Sequence, residues 1–195
     1  MGRKADVTRK TTETDITIHL DLDGTGNHKI LTGIPFFDHM LTLFTVHGLF
    51  DLSVEAKGDI EVDFHHTVED VGLALGDAML QALADKKGIK RYGHAETPMD
   101  ETLAMVTVDL SNRPFLAYNV PDKVYAPGPL DLYTAKEFFR AFSNRAAMNL
   151  HVNVLYGENE HHIIEAIYKS LGRAIREAVT IDNRIQSVLS TKGTL

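Results

Sequence analysis

Two stretches of the chain carry the same pattern of groups able to do chemistry. Asp63-Phe64-His65-His66-Thr67-Val68-Glu69-Asp70 and Asn159-Glu160-His161-His162-Ile163-Ile164-Glu165-Ala166 both read His-His-x-x-Glu. Imidazole and carboxylate are ligands for Mn²⁺, Fe²⁺, Co²⁺ or Zn²⁺. On a helix, His65 and Glu69 lie four residues apart and share a face, as do His161 and Glu165. The neighbouring His66 and His162 point roughly 100° away. Each helix thus offers a two-toothed chelate and one diverging imidazole. Two such helices about a pseudo-twofold axis would complete each other, each chelate taking the other's spare histidine, to give two metal sites.

The surrounding sequence supplies the helices. Val71, Leu73, Ala74, Leu75, Ala78, Met79, Leu80 and Leu83 follow the first motif, and Ile167, Leu171, Ile175, Ala178 and Val179 follow the second. Both sets have helical spacing, without interior proline. Upstream, residues 6–22 read as strands, of which Asp15 to Leu22 alternates cleanly before the turn Asp23-Gly24-Thr25-Gly26. Gly33-Ile34-Pro35 opens a helix that ends at His47-Gly48, Leu49 to Ala56 is a strand, and the first His-His helix stops at Lys86-Lys87-Gly88. Residues 88–99, with basic Lys90 and Arg91, read as a connector.

The order then repeats. Leu103 to Leu110 is a strand, Asn112-Arg113-Pro114 a turn, and Phe115 to Val120 a strand. A Pro/Gly loop from Pro121 to Pro129 leads to a helix near 134–147, a strand from Leu150 to Tyr156, and the second His-His helix. The expected fold is α+β: a tandem duplication of a ββαβα half, each with its helices on one sheet face, the halves (1–97 and 98–195) packed about a pseudo-twofold axis into one compact domain. His65 to His161 and Glu69 to Glu165 share an offset of 96. Carrying the register back with a two-residue gap sets Asp38-His39-Met40-Leu41 against Lys136-Glu137-Phe138-Phe139, so His39 and Glu137 become possible fourth ligands.

Composition narrows the classes. At 195 residues the chain buries a sizeable core. A net charge of −7, with no basic block longer than Lys86-Lys87, argues against nucleic acid. Without cysteine there are no disulfides and no thiolate metal sites. No apolar stretch has the length of a signal-peptide core or a membrane span, so a soluble cytoplasmic protein is expected.

Further motifs converge on one resemblance: Phe36-Phe37-Asp38-His39-Met40-Leu41 running on to His47-Gly48, Ser111-Asn112-Arg113-Pro114, Leu155-Tyr156-Gly157-Glu158-Asn159 before the second His-His pair, and Ser190-Thr191-Lys192-Gly193. With the two His-His-x-x-Glu stretches they make the chain resemble, over essentially its whole length, the imidazoleglycerol-phosphate dehydratases of histidine biosynthesis. The resemblance implies a hydro-lyase that converts imidazole glycerol phosphate to imidazole acetol phosphate with two Mn²⁺ ions. One ion would take His39, His66, His161 and Glu165, the other His65, Glu69, Glu137 and His162. Many members carry His where Glu137 stands.

The abstracted C–H proton is not acidic by itself. Holding the substrate ring between two metals would stabilise imidazolate, which expels the neighbouring hydroxyl as a diazafulvene. Glu13 and Glu165 are the candidate bases, with Glu13 favoured as the non-ligand. His47 is a further catalytic and substrate contact, and His39, His65, Glu69, His161 and Lys169 also line the substrate. Arg91, Arg113, Lys192, Ser190 and Thr191 match the family's phosphate-binding positions, where an arginine fork suits phosphate oxygens. Family members form a 24-subunit shell with active sites between subunits. His19, His28, His94 and His151 are left as surface or strand residues.

Two other readings fit a His/carboxylate dinuclear site. A metal-storing or metal-sensing protein would fill its coordination sphere with protein ligands and turn nothing over. A dinuclear phosphatase would release inorganic phosphate, which a dehydratase leaves on its product.

Overall fold

The computed structural model describes residues 2–121 and 130–195. The expected Pro/Gly loop therefore falls, past Pro121, outside the described residues. The first half runs β1 (Lys4–Lys10), β2 (Thr14–Asp21), β3 (His28–Leu31), α1 (Pro35–Gly48), β4 (Asp51–Gly58) and α2 (His65–Leu83). The second repeats it as β5 (Tyr92–Met99), β6 (Thr102–Asp109), β7 (Phe115–Asn119), α3 (Leu132–Arg145), β8 (Asn149–Tyr156) and α4 (Glu160–Val179).

Each half forms one four-stranded mixed sheet, in the orders β1-β2-β4-β3 and β5-β6-β8-β7. The first three strands of each order pair antiparallel, and the last, β3 or β7, joins in parallel. The α+β duplication is thus observed, but as βββαβα. Period-2 alternation puts Ile16, Ile18 and Leu20 of β2, and Ala104, Val106 and Val108 of β6, on the buried faces. The four helices lie between the two sheets. Helices α1 and α2 cover the first sheet, α3 and α4 the second, and across the middle α2 packs on α3 and α1 on α4.

Glycines set how close these helices come. A Cβ on Gly172 of α4 would lie 2.4 Å from Phe44 O of α1, and one on Gly76 of α2 would lie 2.8 Å from Phe142 O of α3. Residues 76 and 172 differ by the motif offset of 96, so the same contact is made twice. The pseudo-twofold relation is built into the packing.

Two expectations are corrected. Residues 88–99 are not a connector, because Tyr92–Met99 is β5, an edge strand registered antiparallel on β6 from Tyr92↔Asp109 to Met99↔Thr102. Its inward positions are Gly93 and Ala95, small because α4 crosses directly above. A Cβ on Gly93 would lie 2.0 Å from Ala174 O. A hydrophobic alternation built on Gly and Ala is invisible as such, and Pro98 is tolerated only because the strand is an edge. The halves therefore join between α2 and β5, ahead of the expected 97/98 boundary. The short β3 was likewise unread, with Ile30 as its only buried residue.

Candidate active site

Both His-His pairs open helices, and both helices are started by the same position of the repeat. Asp63 Oδ1 accepts from His65 N at 2.8 Å, and Asn159 Oδ1 accepts from His161 N at 2.9 Å. The two imidazoles of each pair stand apart, with ring centroids 6.1 Å apart for His65–His66 and 6.0 Å apart for His161–His162.

Helix α4 presents His161, Glu165, Lys169 and Arg173 as one stripe of i, i+4 neighbours. Helix α1 brings His39 up to it, its start tied down by Asp38, whose Oδ1 accepts from Thr32 N at 2.8 Å and Thr32 Oγ1 at 2.6 Å. His161 Nε2 lies 3.2 Å and His39 Nε2 3.6 Å from Glu165 Oε2. One ligand atom from each of His39, His161 and Glu165 lies within 4.8 Å of the others. The other oxygen of Glu165 accepts from Lys169 Nζ. Burial pushes the Glu165 carboxyl up, but the Lys169 hydrogen bond and charge, with His39 and His161, carry it below its ordinary value. His47, two turns along α1, is shifted down by burial and by the Lys169 and Arg173 cations, which favours its neutral form.

A second cluster forms on α2 and α3. His65 Nε2 lies 3.7 Å from Glu69 Oε2, and Arg140 Nη2 donates to Glu69 Oε1 at 2.8 Å and also to Glu137. Glu69 and Glu137 thereby share one guanidinium, with His65 against Glu69.

The diverging histidines join neither cluster of their own chain. His66 Nδ1 sits 3.0 Å from Asp59 Oδ2 and 3.9 Å from Glu13 Oε2. His162 Nδ1 sits 2.7 Å from Glu101 Oε2. These carboxylates raise the proton affinity of both imidazoles, Asp59 chiefly for His66 and Glu101 for His162. Helices α2 and α4 pack on α3 and α1 rather than on each other. The crossed pairing expected within one chain is therefore not formed.

At the other end of the molecule, the C-terminal tail closes a cleft of about 1160 Å³ lined by Arg91, Ser111, Asn112, Arg113, Arg184, Ser190, Thr191 and Lys192, among others. Arg91 is nearly buried and already committed. Its Nε and Nη2 donate to Asp109 at 2.6 and 3.0 Å, and Nη1 donates to Leu189 O at 2.7 Å. Arg113 is exposed, 3.9 Å from Asp109 Oδ2. Ser111 Oγ is buried without a hydrogen-bond partner among the described residues.

The family model described as imidazoleglycerol-phosphate dehydratase matches residues 32–175. This chain belongs to that family. Curated relatives named imidazoleglycerol-phosphate dehydratase include those of Trichlorobacter lovleyi (58% identical) and Geobacter sulfurreducens (55%), each aligned over 195 residues and the whole of both chains. Among solved structures, the Pyrococcus furiosus protein superposes with a TM-score of 0.85 at 36% identity, covering 97% of this chain and 100% of that one. The Staphylococcus aureus dehydratase gives 0.82 at 39%, covering 92% and 99%.

Of the residues assigned by resemblance to the dehydratases, the chain brings together His39, His161, Glu165, Lys169 and His47 in one place, and His65, Glu69 and Glu137 in another. Arg91, Arg113, Ser190, Thr191 and Lys192 meet in the cleft. Glu13 is found with His66. Four participants went unread in the sequence. Asp59 and Glu101 hold the diverging histidines, Arg140 bridges the second cluster, and Lys86 lies beneath the cleft. Only Arg140 had a local signal, its i+3 spacing from Glu137. Glu101 is the repeat of Glu13 at the β2–β6 offset of 88, legible only once β5 is known.

Proposed function

We propose that the chain catalyses dehydration of imidazole glycerol phosphate to imidazole acetol phosphate, as the names of its relatives describe, using two Mn²⁺ ions at sites completed between subunits. The observation that carries this is the donor set of two imidazoles and one carboxylate at His39, His161 and Glu165, in a chain related over its whole length to dehydratases. The diverging histidines fit the same reading. Each is held at Nδ1 by a carboxylate, which orients Nε2 as a metal ligand. His66 of one subunit would join His39, His161 and Glu165 of a second, and His162 of the second would join His65, Glu69 and Glu137 of the first. A divalent cation so held supplies Lewis acidity and stabilises negative charge on the substrate ring.

The remaining work falls to the chain's own residues. Glu165 is occupied by Lys169 and His161, so it serves poorly as a base. Glu101 is held well down, to about 2, by the His162 hydrogen bond and by backbone N–H donors. Glu13 is half exposed, its contact with His66 is only 3.9 Å, and it travels with His66 to the shared site. Glu13 therefore takes the C–H proton. His47, favoured in its neutral form, can both donate to and accept from a substrate hydroxyl. Because this cleft lies at the far end of α4 from the His39 cluster, the phosphate would be held by the cleft of a further subunit, with Arg113, Lys192, Ser190 and Thr191 as donors and Arg91 as the strut beneath them.

The direct test follows enolisable ketone against free phosphate after adding imidazole glycerol phosphate and Mn²⁺. Ketone without phosphate release is expected. Phosphate release would identify a phosphatase, and no turnover a metal-binding protein. Within the cleft, Arg113→Ala is expected to raise KM about tenfold or more with thermal stability held, as loss of a charged hydrogen bond would. Arg91→Ala is expected to destabilise the fold by about 1.5–3 kcal/mol, because it removes the charged hydrogen bonds that part-buried Asp109 accepts. Thermal melts and steady-state kinetics separate the two.

Glu137 has its own test. Glu137→Ala is expected to leave the His39–His161–Glu165 site filled and empty the other, whereas Glu137→His keeps both, since imidazole and carboxylate both bind Mn²⁺. Metal content per chain decides it, with full occupancy in Glu137→Ala removing Glu137 from the ligand set.

A further inference from the structure

Lys86, just past the end of α2, is 3% exposed and has no part in the reaction scheme; in the sequence it reads only as part of the stop signal of that helix. Its ammonium donates to Asn112 Oδ1 at 2.6 Å and to Leu110 O at 3.3 Å. We propose that Lys86 is a positioning residue for substrate binding: from behind the cleft it holds the Asn112 side chain so that the amide nitrogen faces the bound phosphate. The inference rests on the phosphate reading of the cleft.

Three observations carry it. An ammonium can only donate, so the atom of Asn112 that meets it must be the oxygen. The amide nitrogen, with two donor hydrogens, is then left for the cleft, which Asn112 lines between Ser111 and Arg113. Asn112 stands at φ 59°, a left-handed conformation that Asn tolerates better than most residues, so the turn that presents it is specific to this position. Finally, among the described residues Lys86 makes no ion pair with a carboxylate. Asp109, whose charge acts on Lys86, is gripped by Arg91 through two hydrogen bonds.

Burial pushes Lys86 down to about 8; Asp109 opposes the shift, and Arg91 adds to it. Arg113, Arg184 and Lys192 also line the cleft above it. Only the charged amine, which cannot accept, fixes the amide with its nitrogen toward the cleft; a phosphate that draws that nitrogen therefore favours the charged amine, and by linkage the charged amine favours phosphate through Asn112. This contribution is present below about pH 8 and is lost as the pH rises through that value.

The test measures KM and kcat for imidazole glycerol phosphate, and competitive inhibition by inorganic phosphate, from pH 7 to 9 in the intact enzyme. Lys86→Met is expected to raise KM and the phosphate inhibition constant about tenfold with kcat within about twofold, consistent with loss of one charged hydrogen-bond network. Lys86→Arg should recover most of the loss. The pH-dependent rise in wild-type KM should be absent in Lys86→Met. Lys86→Met combined with Asn112→Ala should be no worse than Asn112→Ala alone, because the lysine acts through the asparagine. Unchanged KM in Lys86→Met, or losses that simply add, would overturn the proposal.

Should Lys86→Met fail to fold, Asn112→Asp decides. It keeps an acceptor for Lys86 and removes the donor from the cleft, so KM should rise at an unchanged melting temperature, and an unchanged KM overturns the inference. Wild-type inhibition by phosphate and the response of Arg113→Ala are measured alongside. If both are absent, the phosphate cleft itself is wrong and this inference falls with it; if both are present and the Lys86 variants are silent, this inference falls alone.

Discussion

His66→Ala and Glu165→Ala chains, each expected to lose activity by about three orders of magnitude or more as ligand or acid–base groups are removed, should regain it when co-assembled. Random mixing of equal amounts makes up to about a quarter of the shared sites intact, because one interface in four pairs a sound His66 with a sound Glu165. The reason lies in the fold. On α2, His66 is held by Asp59 from the turn after β4, away from the His39–His161–Glu165 cluster on α1 and α4, and α2 packs on α3 rather than on α4. If both residues serve one metal, they come from different chains. The control is His161→Ala mixed with Glu165→Ala. These residues sit 3.2 Å apart in one cluster, so the pair should recover nothing. Co-expression with two affinity tags, followed by assay and metal analysis of the doubly tagged oligomer, reads the result. No recovery in the first pair, or equal recovery in both, would remove the shared site.

Gly172→Ala should unfold several degrees earlier and lose metal from the His39 cluster. In an exposed helix, replacing Gly with Ala stabilises by about 1 kcal/mol, so the sign of the change is itself diagnostic. At Gly172 the new Cβ would lie 2.4 Å from Phe44 O, 3.0 Å from Gly48 N and 3.2 Å from Phe44 C, all backbone atoms of α1 that cannot rotate away. Helices α1 and α4 must separate, at a cost of about 1–3 kcal/mol for overpacking. For a chain of this length that lowers Tm by roughly 2–4 °C per kcal/mol. The same two helices carry His39 and the His161–Glu165 pair, so their separation widens a site whose ligand atoms now lie within 4.8 Å. Calorimetry and metal content together check this. A raised Tm with full metal occupancy would show that the interface yields and that its closeness does not set the chelate.

Much of this architecture was legible because it depends on local rules. The i, i+4 spacing put each His–Glu pair on one face, and the rotation of about 100° per residue sends His66 and His162 to other partners. Strands β2, β4, β6 and β8 could be read because their inward positions are large and apolar. Strand β5 could not, because Gly93 and Ala95 face inward beneath α4. Missing it displaced the boundary between the halves and hid Glu101, the repeat of Glu13.

The sequence by itself determined the types of the candidate ligands, their pairing on helices, the duplication and the family. Tertiary structure alone decided which pairs meet. It set His39 against His161 and Glu165, put Arg140 between Glu69 and Glu137, and kept His66 and His162 with Asp59 and Glu101. It also put Lys86 under Asn112, 26 residues away in the chain. The reason is geometric. Periodicity dictates where a side chain points from its own helix axis. Which partner stands there depends on how close two backbones approach, and here the bare Cα of Gly76 and Gly172 sets that distance, at contacts many residues apart in sequence.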